Sequence, residues 1–135
     1  MINPIEHTRT KEATNKYKVE PYVIPADIYG SSNLAGRGGW TWYTGSSSWY
    51  YKAGIEFILG LKIEKGYMKI EPCIPKEWKE YQIHYKWKDS VYNIKVKNPN
   101  NKNRGVEKVL LEGNEIQNRI KLEESKKIYN IEVIM

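Results

Sequence analysis

The chain is poor in the residues that build redox and metal chemistry: 135 residues include one cysteine, two histidines and a single phenylalanine. The lone thiol, Cys73, excludes an internal disulfide and fits a reducing, cytoplasmic compartment. Its setting between Pro72 and Ile74 predicts a small buried hydrophobe. His7 has no second histidine, cysteine or carboxylate at a ligand spacing, so it reads as a structural hydrogen-bonding residue, and no metal site is expected. No apolar run reaches the roughly 18 residues of a membrane-spanning helix, and no cationic start leads into an apolar stretch. The segment therefore carries neither a transmembrane helix nor a secretory signal of its own. Internal repeats, low-complexity tracts and a Pro/Ser-rich linker are missing too, which leaves one or one and a half directly packed domains.

Charge is present in excess. Lysine and arginine number 22 against 16 acidic residues, a net +6, which raises the question of nucleic acid. The lysines at 62, 65, 69, 76, 79, 86, 88, 95, 97 and 102 are interleaved with glutamates and never gather into one stripe. That is the pattern of a solvated face, and no nucleic-acid partner is expected.

The period of apolar residues changes near Gly60. Before it, Trp49, Tyr50, Ala53, Phe57, Ile58 and Leu61 recur at spacings of one, three and four, which predicts a helix over 46–59 with one buried face. Ser46 is its expected N-cap, and Gly60 suits the left-handed position that ends a helix. Thr44 and Gly45 fall where free backbone N–H groups and the positive end of the helix dipole collect, and Gly45 lets a ligand approach the backbone. Together they read as an anion site. Trp40, Trp42, Tyr43 and Trp49 offer flat faces with N–H or O–H edges, suited to a sugar ring. Upstream, Gly30 to Gly39 is a loop by composition. Arg37, its one fixed charge, could meet a phosphate or a carboxylate, or pin the loop to Glu20 or Asp27. A short helix over Thr10 to Tyr17 completes this half.

After Gly60 the alternation is twofold. Leu61–Glu64 and Tyr67–Glu71 flank Lys65-Gly66, and Tyr81–Trp87 and Val91–Val96 flank Lys88-Asp89-Ser90, two hairpin signals. Val106 to Leu111 and Lys127 to Ile134 add two strands, and Asn98 to Asn103 is a loop. The expected class is α+β, with helices over 1–60 and a small antiparallel β-sandwich or jelly-roll-like domain over 61–135. His84, with Gln82 and Lys86 on its face, belongs on the surface.

Four separated segments carry a resemblance: Ile2-Asn3-Pro4-Ile5-Glu6-His7-Thr8-Arg9-Thr10, Tyr17-Lys18-Val19-Glu20-Pro21-Tyr22-Val23, Gly36-Arg37-Gly38-Gly39-Trp40-Thr41-Trp42-Tyr43-Thr44-Gly45, and Ile70-Glu71-Pro72-Cys73-Ile74-Pro75. In order and spacing they resemble the carboxy-terminal end of the inverting glycoside phosphorylases, which include cellobiose and chitobiose phosphorylases. The wording at 37–45 most resembles the cyclic β-1,2-glucan synthetase branch. The resemblance implies the last helices of a catalytic α/α toroid followed by a β-sandwich domain. It also implies phosphate as nucleophile on a β-glucosidic bond, with inversion at the anomeric carbon. The family's phosphate-binding Thr-Gly pair falls on Thr44 and Gly45, and the segment Val19 to Tyr29 on a toroid helix whose inner end approaches the active site. The family's general-acid Asp and its phosphate-binding Arg and His match no stretch here, so no catalytic residue is assigned and the chain is expected to be inactive alone. A sugar-binding Gln of cellobiose phosphorylases falls near Ala26, leaving Asp27, Arg37 and Trp42 as candidate substrate contacts.

The implied partners are a β-glucan or oligosaccharide, inorganic phosphate as co-substrate with no cofactor, and the missing toroid portion of a parent protein, itself cytoplasmic or tethered to a membrane elsewhere. A partial toroid would expose apolar faces and self-associate. A second reading, a non-catalytic carbohydrate-binding module, would instead present Trp78, Tyr81, Tyr85 and Trp87 as an exposed platform on the sheet. A third has the β half merely capping the toroid.

Overall fold

The computed structural model describes residues 4–20, 23–42 and 45–135 and divides into two compact units, one running to Ala53 and one starting at Gly54. The division comes ahead of the boundary expected at Gly60.

In the first unit, α1 (Pro4–Thr8) and α2 (Lys11–Tyr17) are short helices. Thr10 caps α2 by accepting from the Ala13 amide at 3.0 Å, and Lys18 ends it in the left-handed region at φ 54°. The cap explains why a helix with one buried residue, Tyr17, forms there at all. In the segment expected as a toroid helix, Val19 to Tyr29, the described residues 19–20 and 23–29 form no helix. Ile24–Pro25 forms β1 and pairs antiparallel with β2 (Thr41–Trp42), Ile24 opposite Trp42 and Pro25 opposite Thr41. Pro25 lacks the N–H that a helix interior would use, and an edge ribbon tolerates that loss.

The predicted helix of 46–59 is present but is not one element. Gly45–Ala53 is α3, and Gly54–Ile58 continues as a π-turn closed by the Leu59 amide on the Gly54 carbonyl at 2.9 Å. Because α3 already includes Gly45, Ser46 lies inside the first turn and is not the N-cap. Gly60 behaves as expected, with φ at +79°.

The second unit is built on two sheets. β3 (Leu61–Glu64) and β4 (Tyr67–Ile70) form the first predicted hairpin, turned by Lys65 and Gly66 at φ 50° and 78°. Those two positive values are what a two-residue turn between right-twisted strands needs. β5 (Glu80–Trp87) and β6 (Ser90–Lys97) form the second. Then follow β7 (Lys108–Leu111), β8 (Asn114–Ile116), β9 (Ile120–Lys121) and β10 (Ile128–Ile134). The sheets run β5-β6-β10-β7-β8 and β3-β4-β9. β10 lies parallel to β6, Ile131 opposite Ile94, so the larger sheet is mixed where an antiparallel one was expected. β8 and β9 had no sequence signal.

Both sheets feed one core, the arrangement of a sandwich. Met68, Ile70, Val96, Val133 and Met135 are completely buried, and Ile55, Ile58 and Leu59 pack against the same cluster. β6 alternates as its period demands, burying Ser90, Tyr92, Ile94 and Val96 while Asn93, Lys95 and Lys97 face outward. Outward lysines meet glutamates across the strands: Lys95 with Glu80 at 3.1 Å, Lys97 with Glu132 at 2.7 Å, Lys108 with Glu115 at 2.8 Å. Asn98, wholly buried, organises the following loop by accepting from the Lys102 amide and donating to the carbonyls of Trp78 and Lys102. Cys73 is exposed, contrary to expectation. It bridges Arg104 by backbone alone, and the buried places beside it go to Pro72 and Ile74.

Candidate functional site

The segment leading to α3 is a long hairpin. Chain 24–29 runs against 36–42, with the Ala26 amide on Trp40 O at 2.7 Å, the Gly39 amide on Asp27 O at 3.0 Å, and the Tyr29 amide on Arg37 O at 2.9 Å. Three glycines make the close approach possible, each for its own reason. Gly36 takes a φ of +88°. A Cβ on Gly38 would lie 2.1 Å from Val19 Cγ2, and one on Gly39 would lie 2.3 Å from the Asp27 carboxylate. That carboxylate accepts from the Trp40 amide at 3.2 Å. A sequence of small residues is thus a packing requirement of the strand that delivers the chain to α3.

The sequence-predicted residues fall as follows. Asp27 uses one oxygen on the hairpin backbone. Arg37 is exposed, its amide on Leu34 O closing the loop, and no ion pair of its guanidinium with Glu20 or Asp27 stands among the described contacts. Trp42 pairs through its backbone with Ile24; its side chain, Tyr43 and Thr44 lie outside the described residues. Gly45 opens α3, is exposed, and has no atom within 4 Å of where a Cβ would stand. Trp40 and Trp49 are 72% and 70% exposed, and Lys52 Nζ lies 5.7 Å from the centre of the Trp49 ring. Gly45 is thus open backbone in the first turn of α3, and the exposed indole of Trp49 lies about one turn further along the same helix.

Sequence reasoning singled out neither Tyr17 nor Tyr50 as a site residue. Tyr17 is buried and stacks on His7 with ring centres 3.9 Å apart and planes 6° from parallel, a packing contact where a hydrogen-bonding role was expected of His7. The Tyr50 hydroxyl is buried without a hydrogen-bond partner, and burial, then the nearby Tyr17, raise its pKa. Both tyrosines sit on helical segments with no local signal to separate them from ordinary core aromatics.

The β domain presents no aromatic platform at the four rings named above. Trp78, Tyr81, Tyr85 and Trp87 are partly buried and pack against the core. The Tyr81 hydroxyl donates to the Leu59 carbonyl at 2.7 Å, and burial pushes its pKa well above the usual phenol range. His84 is exposed, joined to Asn93 at 2.8 Å. Among the described residues no group of three or more metal-ligating side chains converges, and no helix is long and apolar enough to cross a membrane.

Residues 1–60 match the catalytic-domain model of the glycosyl hydrolase 94 superfamily, and residues 61–102 match the C-terminal-domain model of glycosyl hydrolase family 65. The chain belongs to the glycosyl hydrolase 94 family. Among its relatives, the cyclic beta-(1,2)-glucan synthase NdvB of Rhizobium meliloti (strain 1021) is 46% identical over 96 residues, 71% of this chain and 3% of that protein. The N,N'-diacetylchitobiose phosphorylase of Vibrio proteolyticus is 35% identical over 120 residues, 88% of this chain and 15% of that enzyme. The solabiose phosphorylase of Paenibacillus borealis is 29% identical over 98 residues, 72% and 13% respectively. The chain thus spans a small fraction of the length of each.

Proposed function

We propose that this chain works as a carboxy-terminal part of a phosphate-dependent enzyme that cleaves or builds β-glucosidic bonds with inversion, and that it supplies one wall of the phosphate site at Thr44 and Gly45. The observation that carries the reading is the agreement between the catalytic-domain match over residues 1–60 and the hairpin that brings open backbone to the first turn of α3. Phosphate is a co-substrate here, not a cofactor. The general acid belongs to another part of the enzyme, so this chain alone binds and does not turn over. Its other ligands are a β-glucan or oligosaccharide and the remainder of the toroid, and the exposed thiol of Cys73 suits the cytoplasm. Asp27 holds the Trp40 backbone with one carboxylate oxygen and, being exposed, keeps the other for a sugar hydroxyl.

The test is titration of phosphate, with sulfate as a second anion, into this chain and into Thr44→Val, followed by calorimetry or chemical shifts. Saturable phosphate binding weakened about tenfold by the substitution is expected, the loss of one hydrogen bond to a charged group. Binding that is indifferent to Thr44→Val would remove Thr44 from the site.

A further inference from the structure

The outward side of the three-stranded sheet holds a groove that the reading above leaves unused. Two cavities of about 540 Å³ each adjoin there, with Lys62, Glu71 and Asn118 as their common wall. One extends to Phe57 and Arg104, the other to Tyr67 and Arg119. Glu71 is held between Lys62, at 2.7 Å, and Lys69, so the middle of the groove sets two lysines against one carboxylate, and Arg104 and Arg119 add a cation at either end. Arg104 and Arg119 are both exposed, and neither is ion-paired among the described residues. The Arg119 guanidinium lies 4.2 Å from the centre of the Tyr67 ring. That contact over the ring face holds the guanidinium in place without using its N–H groups in an ion pair among the described residues, which leaves them for a two-oxygen acceptor. At the far end Phe57, 63% exposed, offers an apolar face.

The geometry points to this groove as a binding site for an acidic oligosaccharide, whose hydroxyls meet the Lys62–Glu71 pair while a carboxylate or phosphate substituent sits on Arg119 or Arg104. The acidic wall residues select the class. Glu64 and Glu71 line the groove beside Lys62, Lys65 and Lys69; their remaining carboxylate lone pairs accept from hydroxyls and disfavour a polymer carrying a phosphate at every residue. A hydroxyl-rich chain with sparse charge satisfies both the carboxylates and the guanidiniums, and a nucleic acid does not. The inference rests on the reading above only in taking the ligand to be a glycan, since no residue of the groove belongs to the Thr44/Gly45 site.

The experiment titrates the whole chain with an oligoglucuronate, a neutral gluco-oligosaccharide of equal length, the same oligosaccharide bearing one phosphate monoester, and an oligothymidylate. Binding of an acidic sugar chain is expected to fall about tenfold in Arg119→Ala and in Arg104→Ala, and to be partly kept in Arg119→Lys. It should weaken with added salt and exceed binding of the neutral chain by tenfold or more. Whichever acidic chain binds more tightly identifies the substituent. Failure of both acidic chains to bind, equal binding of the neutral chain or of oligothymidylate, or indifference to both arginine substitutions would overturn the assignment. Both arginines are exposed, and an unchanged circular dichroism spectrum shows that each variant is folded. Phosphate titration of the same variants separates the two sites: Arg119→Ala leaves phosphate binding unchanged, and Thr44→Val leaves the acidic glycan bound.

Discussion

Asn118 pairs with Ile70 as if it were a residue of a neighbouring strand. Its side-chain oxygen accepts from the Ile70 amide at 2.9 Å, and its side-chain nitrogen donates to the Ile70 carbonyl at 2.6 Å. β9 pairs with only Tyr67 and Met68 of β4, so the amide of a loop residue extends the ladder where the strand stops. Ile70 is fully buried, and its backbone groups have few alternatives.

Asn118→Ala is therefore expected to cost about 2–4 kcal/mol, because it orphans two backbone groups beside the core. Asn118→Asp should cost a similar amount, since a carboxylate cannot donate to the Ile70 carbonyl. Urea denaturation of the two variants measures this, and a change below about 0.5 kcal/mol would show that the pair is incidental.

The glycines predict a ranking. At Gly60 an alanine Cβ would stand 2.2 Å from the Glu71 carbonyl carbon, at a φ of +79°, so Gly60→Ala meets backbone that cannot step aside. At Gly39 the obstacle is the end of the Asp27 side chain, which can swing away at the loss of its hydrogen bond to Trp40. Gly60→Ala should lower stability by several kcal/mol and Gly39→Ala by about 1–2 kcal/mol. The double variant Gly39→Ala/Asp27→Ser should recover part of the Gly39 loss. Thermal melts of the three proteins decide the order.

The acid limb of stability should respond to Glu71. Hydrogen bonds from Lys62 and then Lys69 hold its carboxyl below the usual carboxylate range, outweighing burial. A depressed folded-state pKa gives a contribution that is complete above the unfolded value of about 4.3 and fades as pH falls through the folded value. The group is 38% exposed, so the contribution is about 1 kcal/mol or less. Glu71→Gln should therefore fall short of the parent at pH 7 and draw level with it as pH falls through the folded value, as read from denaturation midpoints.

Cys73 should react with an aromatic disulfide reagent in the native state, one thiol per chain, without denaturant. Protection that vanishes only on unfolding would contradict its exposed placement.

Trp40, Trp49, Tyr51 and Phe57, all more than 60% exposed, predict concentration-dependent self-association in sedimentation experiments. A sharp monomer at high concentration would mean that these rings are scattered and cause no association.

The parts legible in the sequence were those fixed by neighbours. Lys65-Gly66 and Lys88-Asp89-Ser90 announced their hairpins because a tight turn depends on a few adjacent residues and its flanks on a period of two, although Ser90 proves to open the following strand. Gly60 announced the helix end for the same reason. The parallel pairing of Ile131 with Ile94 depends on residues far apart in the chain, and nothing local encodes it. β1 escaped because Pro25 argues against a regular strand, and only the backbone offered by Thr41 and Trp42 makes an extended path favourable. The exposure of Cys73 escaped because alternation between two buried neighbours decided it. At the site, the Thr44/Gly45 reading came from the position of the coming helix and from resemblance; that one oxygen of Asp27 accepts from the Trp40 amide needed the fold.

The central place of β10 has a consequence for the order of events during synthesis. The strands on its two sides, β5–β6 and β7–β8, leave the ribosome first as separate hairpins, each with an open edge, and neither has the other as a neighbour. Only when Ile128 to Met135 emerges can one segment stitch both together and bury Ile131, Val133 and Met135. Until then the half-made domain is a pair of unpaired β edges, the species most prone to wrong pairing, so the last stretch of this chain acts as a clasp whose arrival times the closure of the domain.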